Sequence, residues 1–343
     1  MSKKTPEQDY YRILQVDPRA CDEVIKASYL ALMKVNHPDT KATKGGTARL
    51  INEAYETLSD AAKRAAYDAT RSQVDGKLIG DYRVLERIAE GGCGKTYKGE
   101  HVLTGMPVCI KHCSKVSPED EIIMVEEAQA MWKLRHYGIP AIHNLIRLED
   151  GSLALVMSYI EGPTLAQLVE QNGRLEPEDV AWITERLLNI LKYTHFYEVA
   201  HGDVKPQNVI VDVDRHMVTL VDFGLAAVKP TATTAAKGYT DIFAPPEQVK
   251  GKPLLPQTDF YSLGMTMIFA LSGDIAVTAA KQVPDGTPDE LCKFIKRLIV
   301  RDVDGRPQWP DGKGGGEDLQ ETLGKVREKA FKRRSSNMKP INS

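Results

Sequence analysis

The feature that most constrains this chain is a polar octapeptide, His201-Gly202-Asp203-Val204-Lys205-Pro206-Gln207-Asn208. Two short β-branched runs follow it, Val209-Ile210-Val211 and Val218-Thr219-Leu220, and then Asp222-Phe223-Gly224. The apolar runs predict a short hairpin flanked on both sides by polar groups. Asp203 and Lys205 alternate onto one side of an extended loop that Asn208 ends, and Asp222 leads a turn that glycine permits. Asn208 and Asp222 offer oxygen ligands suited to a hard Mg²⁺ that keeps most of its coordination for water and phosphate. A carboxylate, Asp203, beside an ammonium, Lys205, suits acceptance of a hydroxyl proton while phosphoryl charge is neutralised. Taken singly, each of these is equally a turn residue.

Such a site needs a folded scaffold, and 343 residues at 42% hydrophobic and 27% charged have an ordinary globular composition, with length for about two domains. A formal net charge of −2 leaves no global field to recruit nucleic acid or an anionic membrane. Cys21, Cys93, Cys109, Cys113 and Cys292 form no CxxC pair, which argues against a disulfide framework or zinc ribbon and fits a reducing compartment. The polar run from Met1 to Gln8 lacks the apolar core of a secretory signal. The longest apolar stretch, residues 263–271, is too short and too interrupted to span a bilayer. The expectation is a soluble, cytoplasmic protein with no nucleic-acid or membrane partner.

Residues 7–70 read as several helices. Residues 22–36 place Ile25, Tyr29, Leu32, Met33 and Asn36 at helical spacing with Asp22 as N-cap, and residues 47–58 place Leu50, Ile51, Ala54, Tyr55 and Leu58 on one face. Pro38 ends the first of these, giving a helical hairpin with a polar tip. Residues 71–80 read as a linker. Short strands then predominate up to about Tyr159, among them Tyr82-Arg83-Val84-Leu85, Val108-Cys109-Ile110-Lys111 and Leu153-Ala154-Leu155-Val156-Met157, with a helix over 118–134 between them. From Leu165 onward helices dominate, the most periodic being 177–199 and 288–300. A β-rich lobe followed by a helical lobe suggests a site in the cleft between. Residues 313–343 read as a glycine-rich break, opened by Gly312-Lys313-Gly314-Gly315-Gly316, and a basic C-terminal tail that reads as a solvated helix end.

The glycine-dense turn Ile88-Ala89-Glu90-Gly91-Gly92-Cys93-Gly94-Lys95-Thr96-Tyr97 would let backbone N–H groups approach phosphate oxygens. It fits a tight hairpin without a ligand as well. Strand alternation puts Cys109, Lys111 and Cys113 on one face. Lys111 is either an edge-strand charge or the partner of an anion, with Glu127 on the following helix a candidate to hold it.

Together with the octapeptide and Asp222, these motifs resemble the eukaryotic-type protein kinase family over roughly residues 81–312. The resemblance implies an α+β, bilobal fold with a β-rich N-lobe and a helical C-lobe, and transfer of the γ-phosphoryl group of MgATP to protein serine or threonine hydroxyls. Val108-Cys109-Ile110-Lys111 is similar to the family's VAIK, which implies Lys111 on the α/β-phosphates and Glu127 as its helix partner. Ile88, Ala89, Gly91, Gly94, Thr96 and Cys109 would line the nucleotide. Ser158-Tyr159-Ile160 looks like the hinge that bonds adenine, with Met157 as gatekeeper. Asp203 matches the catalytic aspartate, Lys205 the lysine typical of serine/threonine kinases, and Asn208 and Asp222 the metal ligands. Ala244-Pro245-Pro246-Glu247 looks like the end of the activation segment, with Thr240 its substrate-facing threonine. Glu247 would pair with Arg306, and Asp259 would brace the catalytic loop. Ala89 and Thr96 depart from the family's glycine and valine and should modulate nucleotide affinity. Gly202 replaces the arginine that in many relatives clamps a phosphorylated loop, so activity should not require phosphate at Thr231, Thr233 or Thr234. The stretch between Leu271 and Pro288 is short for the family, which affects substrate docking.

His37-Pro38-Asp39 alone fits a helix-ending proline with two polar neighbours. With Asp9-Tyr10-Tyr11-Arg12-Ile13-Leu14 before it and Ile51-Asn52-Glu53-Ala54-Tyr55-Glu56-Thr57-Leu58-Ser59-Asp60 after it, residues 7–70 resemble a J domain. That implies an all-helical module whose His37, Pro38 and Asp39 contact a heat-shock chaperone of the seventy-kilodalton class. Lys26 stays on the usually basic helix face, but Ala27, Leu30, Ala31 and Val35 stand where cations are common, so electrostatic steering should be weak. Arg333-Arg334-Ser335-Ser336 is a candidate phosphorylation or partner site, and Cys93 reads as a small loop residue. The alternative to an active kinase is a co-chaperone adaptor with a weakly active or inactive pseudokinase scaffold. Retention of Lys111, Glu127, Asp203, Asn208 and Asp222 argues against it.

Overall fold

The computed structural model describes residues 10–17, 20–35, 46–72, 76–91, 94–114, 116–230, 236–313 and 315–332. The His37-Pro38-Asp39 tripeptide, Cys93, Thr231, Thr233, Thr234 and Arg333-Arg334-Ser335-Ser336 lie outside these. The chain forms two compact units that divide between His112 and Cys113.

The first unit opens with helices α1 (Tyr10–Ile13), α2 (Asp22–Val35), α3 (Gly46–Leu58) and α4 (Ala61–Ser72). The two predicted apolar faces meet. Ile25, Ile51, Ala54 and Leu58 are buried with Tyr11 and Leu14, and Tyr29, Leu32, Met33, Tyr55 and Tyr67 pack against them. Asp22, expected as the cap of α2, is instead its first residue; the Cys21 carbonyl accepts the Ile25 N–H at 3.1 Å and so starts the helix one position earlier. Helix α4 is poor in large apolar residues and is held by polar bonds. Arg64 donates from Nε to the Tyr11 hydroxyl at 2.9 Å and from Nη2 to the Ala20 carbonyl at 2.8 Å, while Tyr11 donates to Asp68 at 2.8 Å. Burial, and after it the Asp68 carboxylate, push the Tyr11 hydroxyl pKa up. Lys26, Ala27, Leu30 and Ala31 are exposed on α2, so the charge-poor face does lie at the surface.

Strand β1 (Leu78–Ile79) falls inside the stretch read as a linker and pairs antiparallel with β2 (Tyr82–Gly91). An antiparallel meander continues through β3 (Gly94–His101) and β4 (Pro107–Cys113). Register shifts between Val84 and Glu86 and between Arg87 and Ala89 bend β2 along its length.

The second unit begins with α5 (Pro118–Trp132), started by a reciprocal Ser117–Asp120 capping box, followed by the antiparallel pair β5 (Ile142–Arg147) and β6 (Leu153–Ser158). Then come α6 (Leu165–Asn172), α7 (Pro177–Phe196), β7 (Val199–Ala200), a 3₁₀ turn over Pro206–Asn208, and the predicted hairpin β8 (Val209–Asp212) with β9 (Met217–Leu220). Strand β10 (Ala227–Val228) pairs with β7 and precedes α8 (Pro246–Val249), α9 (Pro256–Ser272), α10 (Ile275–Ala279), α11 (Asp289–Leu298) and α12 (Leu319–Phe331). The apolar stretch 263–271 is the interior of α9, buried on nearly all sides as a core helix. Among the described residues no helix is long and apolar enough to cross a membrane. Gly273 ends α9 at φ 65°, and a Cβ there would lie 1.5 Å from the Gly173 carbonyl oxygen, so only glycine fits. Helix α12 lies where the sequence suggested a tail. Its Leu319 and Leu323 are fully buried in packing against α7 and α11, and Arg327 is paired with Glu185. The order is the expected α+β one, with N-terminal helices, then a β-rich region, then a helical one.

Candidate active site

The loop 201–208 is positioned from beneath by Asp259, in the first turn of α9 and fully buried. One carboxylate oxygen accepts the His201 N–H at 2.8 Å and His195 Nε2 at 2.7 Å; the other accepts the Gly202 N–H at 2.8 Å. Burial alone would raise the Asp259 pKa, but the hydrogen bonds from His195 and Gly202 and the proximity of both histidines outweigh it and leave it lowered. His195 Nδ1 accepts from the Trp309 indole at 2.9 Å, which leaves the ring proton on Nε2, facing Asp259. His201 Nδ1 accepts the Asp203 N–H at 3.1 Å and Nε2 donates to the Val221 carbonyl at 3.2 Å. Burial holds the His201 pKa below the usual histidine value, consistent with the neutral tautomer that this bonding requires. Gly202 sits at φ 75°, and a Cβ would meet Leu254 Cδ1 at 2.7 Å and the Leu225 carbonyl at 2.9 Å. This backbone therefore rejects the arginine that the resemblance would place there.

On this base the polar residues converge. Asp203 is 7% exposed. Lys205 Nζ lies 2.6 Å from its Oδ2, and the Thr240 hydroxyl donates to Oδ1 at 2.7 Å while accepting from Lys205 at 3.0 Å. Asn208 donates from Nδ2 to the Asp203 carbonyl at 2.9 Å and to Oδ2 at 3.0 Å. That leaves Asn208 Oδ1 as an oxygen which, among the described residues, accepts no hydrogen bond. The hairpin carries the next group in, since the Val221 N–H bonds the Asn208 carbonyl at 2.9 Å. Asp222 follows, exposed and at φ 63°, a conformation costing a non-glycine residue about 1–2 kcal/mol. An amide oxygen and an exposed carboxylate are ligands of the type a hard divalent cation takes, so Asn208 and Asp222 fit Mg²⁺. No group of three or more His, Cys, Asp or Glu side chains that could hold a metal ion occurs among the described residues.

The segment that brings Thr240 is anchored in turn. Gln248 Nε2 donates to the carbonyls of Gly202 at 2.7 Å and Gly238 at 2.9 Å. Glu247 and Arg306 form a buried bidentate pair at 2.6 and 2.9 Å, and Arg306 also donates to the carbonyls of Val300, Gln257 and Arg301.

In the first unit, the β2–β3 hairpin closes with Gly91 opposite Gly94 and Ala89 opposite Thr96, and Thr96 stands opposite Lys111 on β4. Ala89, Thr96 and Lys111 thus form a row across three strands, with Cys109 on the same face as Lys111. Lys111 and Cys109 are half-buried, whereas Cys113 is buried, and Ile88 is 49% exposed. In the second unit, Glu127 is buried on α5, Met157 is buried near the end of β6, and Ser158 closes that strand with its N–H on the Ala141 carbonyl at 2.9 Å. Ile160 is half-buried just beyond it. Sequence reasoning missed His195, Gln248 and Trp309. The one available signal was His195, a polar residue on the buried face of a periodic helix.

Residues 82–341 match the protein kinase domain model, and residues 9–68 match the DnaJ domain model. Similar proteins include Maternal embryonic leucine zipper kinase of Danio rerio, 29% identical over 239 residues, covering 68% of this chain and 33% of that protein. Serine/threonine-protein kinase PrkC of Bacillus subtilis (strain 168) is 30% identical over 207 residues, covering 58% of this chain and 31% of that protein. Serine/threonine-protein kinase PknL of Mycobacterium tuberculosis is 29% identical over 276 residues, covering 73% of this chain and 68% of that protein. The chain spans a third or less of the length of the first two. With the kinase model matched over most of its length, the chain belongs to the protein kinase family and carries a DnaJ domain in its N-terminal helices.

Proposed function

We propose that this chain is a serine/threonine protein kinase that transfers the γ-phosphoryl group of MgATP to protein hydroxyls. The observation that carries this reading is the set of bonds about Asp203. A carboxylate offers about four lone-pair positions. Thr240, Lys205 and Asn208 use one on Oδ1 and two on Oδ2, so one remains on Oδ1 for a substrate hydroxyl. Asp203 would orient that hydroxyl and take its proton as the new bond forms. Lys205, fixed by Asp203 and Thr240, would place positive charge on the transferring group without reorganising. Lys111 would hold the α- and β-phosphates with Glu127 positioning it, and the amides of the β2–β3 hairpin would cover them. Ser158 and Ile160 would receive adenine beside Met157, and Thr96 and Cys109 would also bind the nucleotide. Asn208 and Asp222 would hold magnesium, which supplies neutralisation of phosphate charge. Catalysis is then chiefly positioning plus electrostatics.

Radiolabelled ATP with a generic basic protein substrate tests this, comparing wild type with Asp203→Asn. Loss of a positioned base typically costs about 10²–10⁴-fold. Equal incorporation by both proteins, or none by either, would overturn the reading and favour an adaptor. We also propose that the DnaJ domain docks a heat-shock chaperone ATPase through His37, Pro38 and Asp39. The exposed, uncharged Ala27, Leu30 and Ala31 beside Lys26 on α2 support slow association, and recovery of the chaperone undiminished by His37→Gln would count against that docking.

A further inference from the structure

We propose that Lys237 is a positioning residue that holds the segment leading to Thr240 onto helix α5 through its own charge, doing so without a phosphate. The proposal deepens the kinase reading and rests on it.

Lys237 Nζ lies 2.7 Å from Glu126 Oε2 on α5 and donates to the Ala226 carbonyl at 2.7 Å. The Ala226 N–H closes a turn onto the Phe223 carbonyl, directly after Asp222. One ammonium therefore joins three stretches: the helix that carries Glu127, the turn that follows Asp222, and the segment that leads to Thr240. The neighbouring residues are tied elsewhere. Gly238 is held by Gln248, which also holds Gly202, and Thr240 is held by Asp203 and Lys205.

An ion pair with side chains 21% and 45% exposed would do little alone. The second bond, to a part-buried carbonyl, makes the geometry specific, because the ammonium must satisfy both acceptors from one place. The positioning matters because Thr240 bonds the carboxylate that would orient the substrate, and small displacements of such groups are costly in rate. The alternative device is closed to this chain. An arginine at position 202, the residue that would clamp a phosphate, has no room for its Cβ and the wrong sign of φ. Lys237 places a cation on the segment itself and Glu126 supplies the anion, which reverses the polarity of a phosphate–arginine clamp.

The test uses the full chain as wild type, Lys237→Ala, Lys237→Arg, Glu126→Gln and the Lys237→Ala/Glu126→Gln double variant. Steady-state kinetics are read beside hydrogen exchange of peptides covering 118–132, 236–243 and α9. We expect Lys237→Ala to lower kcat about tenfold, equivalent to about 1.4 kcal/mol, with KM for ATP nearly unchanged. Lys237→Arg should restore most of the rate, and the double variant should be no slower than Lys237→Ala. Exchange should rise in 118–132 and 236–243 of Lys237→Ala and stay constant in α9. Multiplying single-variant effects, unchanged exchange in both segments, or a rise that includes α9 would each overturn the proposal. A wild-type chain without turnover would defeat the kinase reading, and the exchange pattern would still decide the tether.

Discussion

The loop 201–208 and the β2–β3 hairpin would address the same reaction, yet they are built in opposite ways. In the loop, the N–H groups of His201, Gly202 and Asp203 all have side-chain acceptors, and those acceptors, Asp259 and His201, are themselves buried and bonded. In the hairpin, Ile88, Ala89 and Glu90 are exposed, and the arms are held by strand pairing across Glu90–Lys95 and Gly91–Gly94. A carboxylate that must meet a hydroxyl in one geometry gains from being over-determined. A cover over phosphates must admit and release its ligand, and is drawn from the weakly held end of the structure.

The largest effect that would break this contrast is at Asp259. Asp259→Ala strands buried donors from His195, His201 and Gly202 and should cost about 3–5 kcal/mol in urea unfolding. A cost under about 1 kcal/mol would show that the loop is not held from beneath. Next is Gly202→Ala, which adds a side chain at positive φ against Leu254 and Leu225. Strain and overpacking together should cost about 2–4 kcal/mol, again read as a shift of the urea midpoint.

A smaller effect follows from His201. Its pKa is lowered in the folded state, so the unfolded chain binds the proton more readily. The contribution to stability is complete above the unfolded value of about 6.5 and is lost as pH falls below it, by at most about 1.4 kcal/mol per pH unit. Urea midpoints at pH 7.5 and 5.5 check the slope, which should flatten in His201→Gln. The smallest stability effect belongs to the hairpin. Ile88→Ala should change unfolding free energy by no more than about 0.5 kcal/mol while raising KM for ATP. A large stability loss there would erase the distinction between the two regions.

Much of this architecture is legible in the order of the amino acids. The apolar spacings of Ile25, Tyr29, Leu32 and Met33 and of Ile51, Ala54 and Leu58 predict the faces that meet in the N-terminal core. The β-branched runs at 209–211 and 218–220 predict the hairpin that brings Asp222 beside Asn208. Helix α12 is legible only as a solvated helix end, because a glycine break and a run of cations mask the buried Leu319 and Leu323 that dock it.

Residue order alone establishes which side chains could do the chemistry and which local elements carry them. Hydrophobic period, turn residues and motif order are short-range properties that every copy of the chain possesses while still unfolded. It takes the folded chain to bring Lys237 to Glu126, to let Trp309 set the proton on His195, and to give Asp259 both N–H groups of the loop. The reason is packing. A lysine, tryptophan or aspartate has many acceptable partners in water, and the fold selects among them by fixing their geometry and displacing much of the solvent that competes for the bonds.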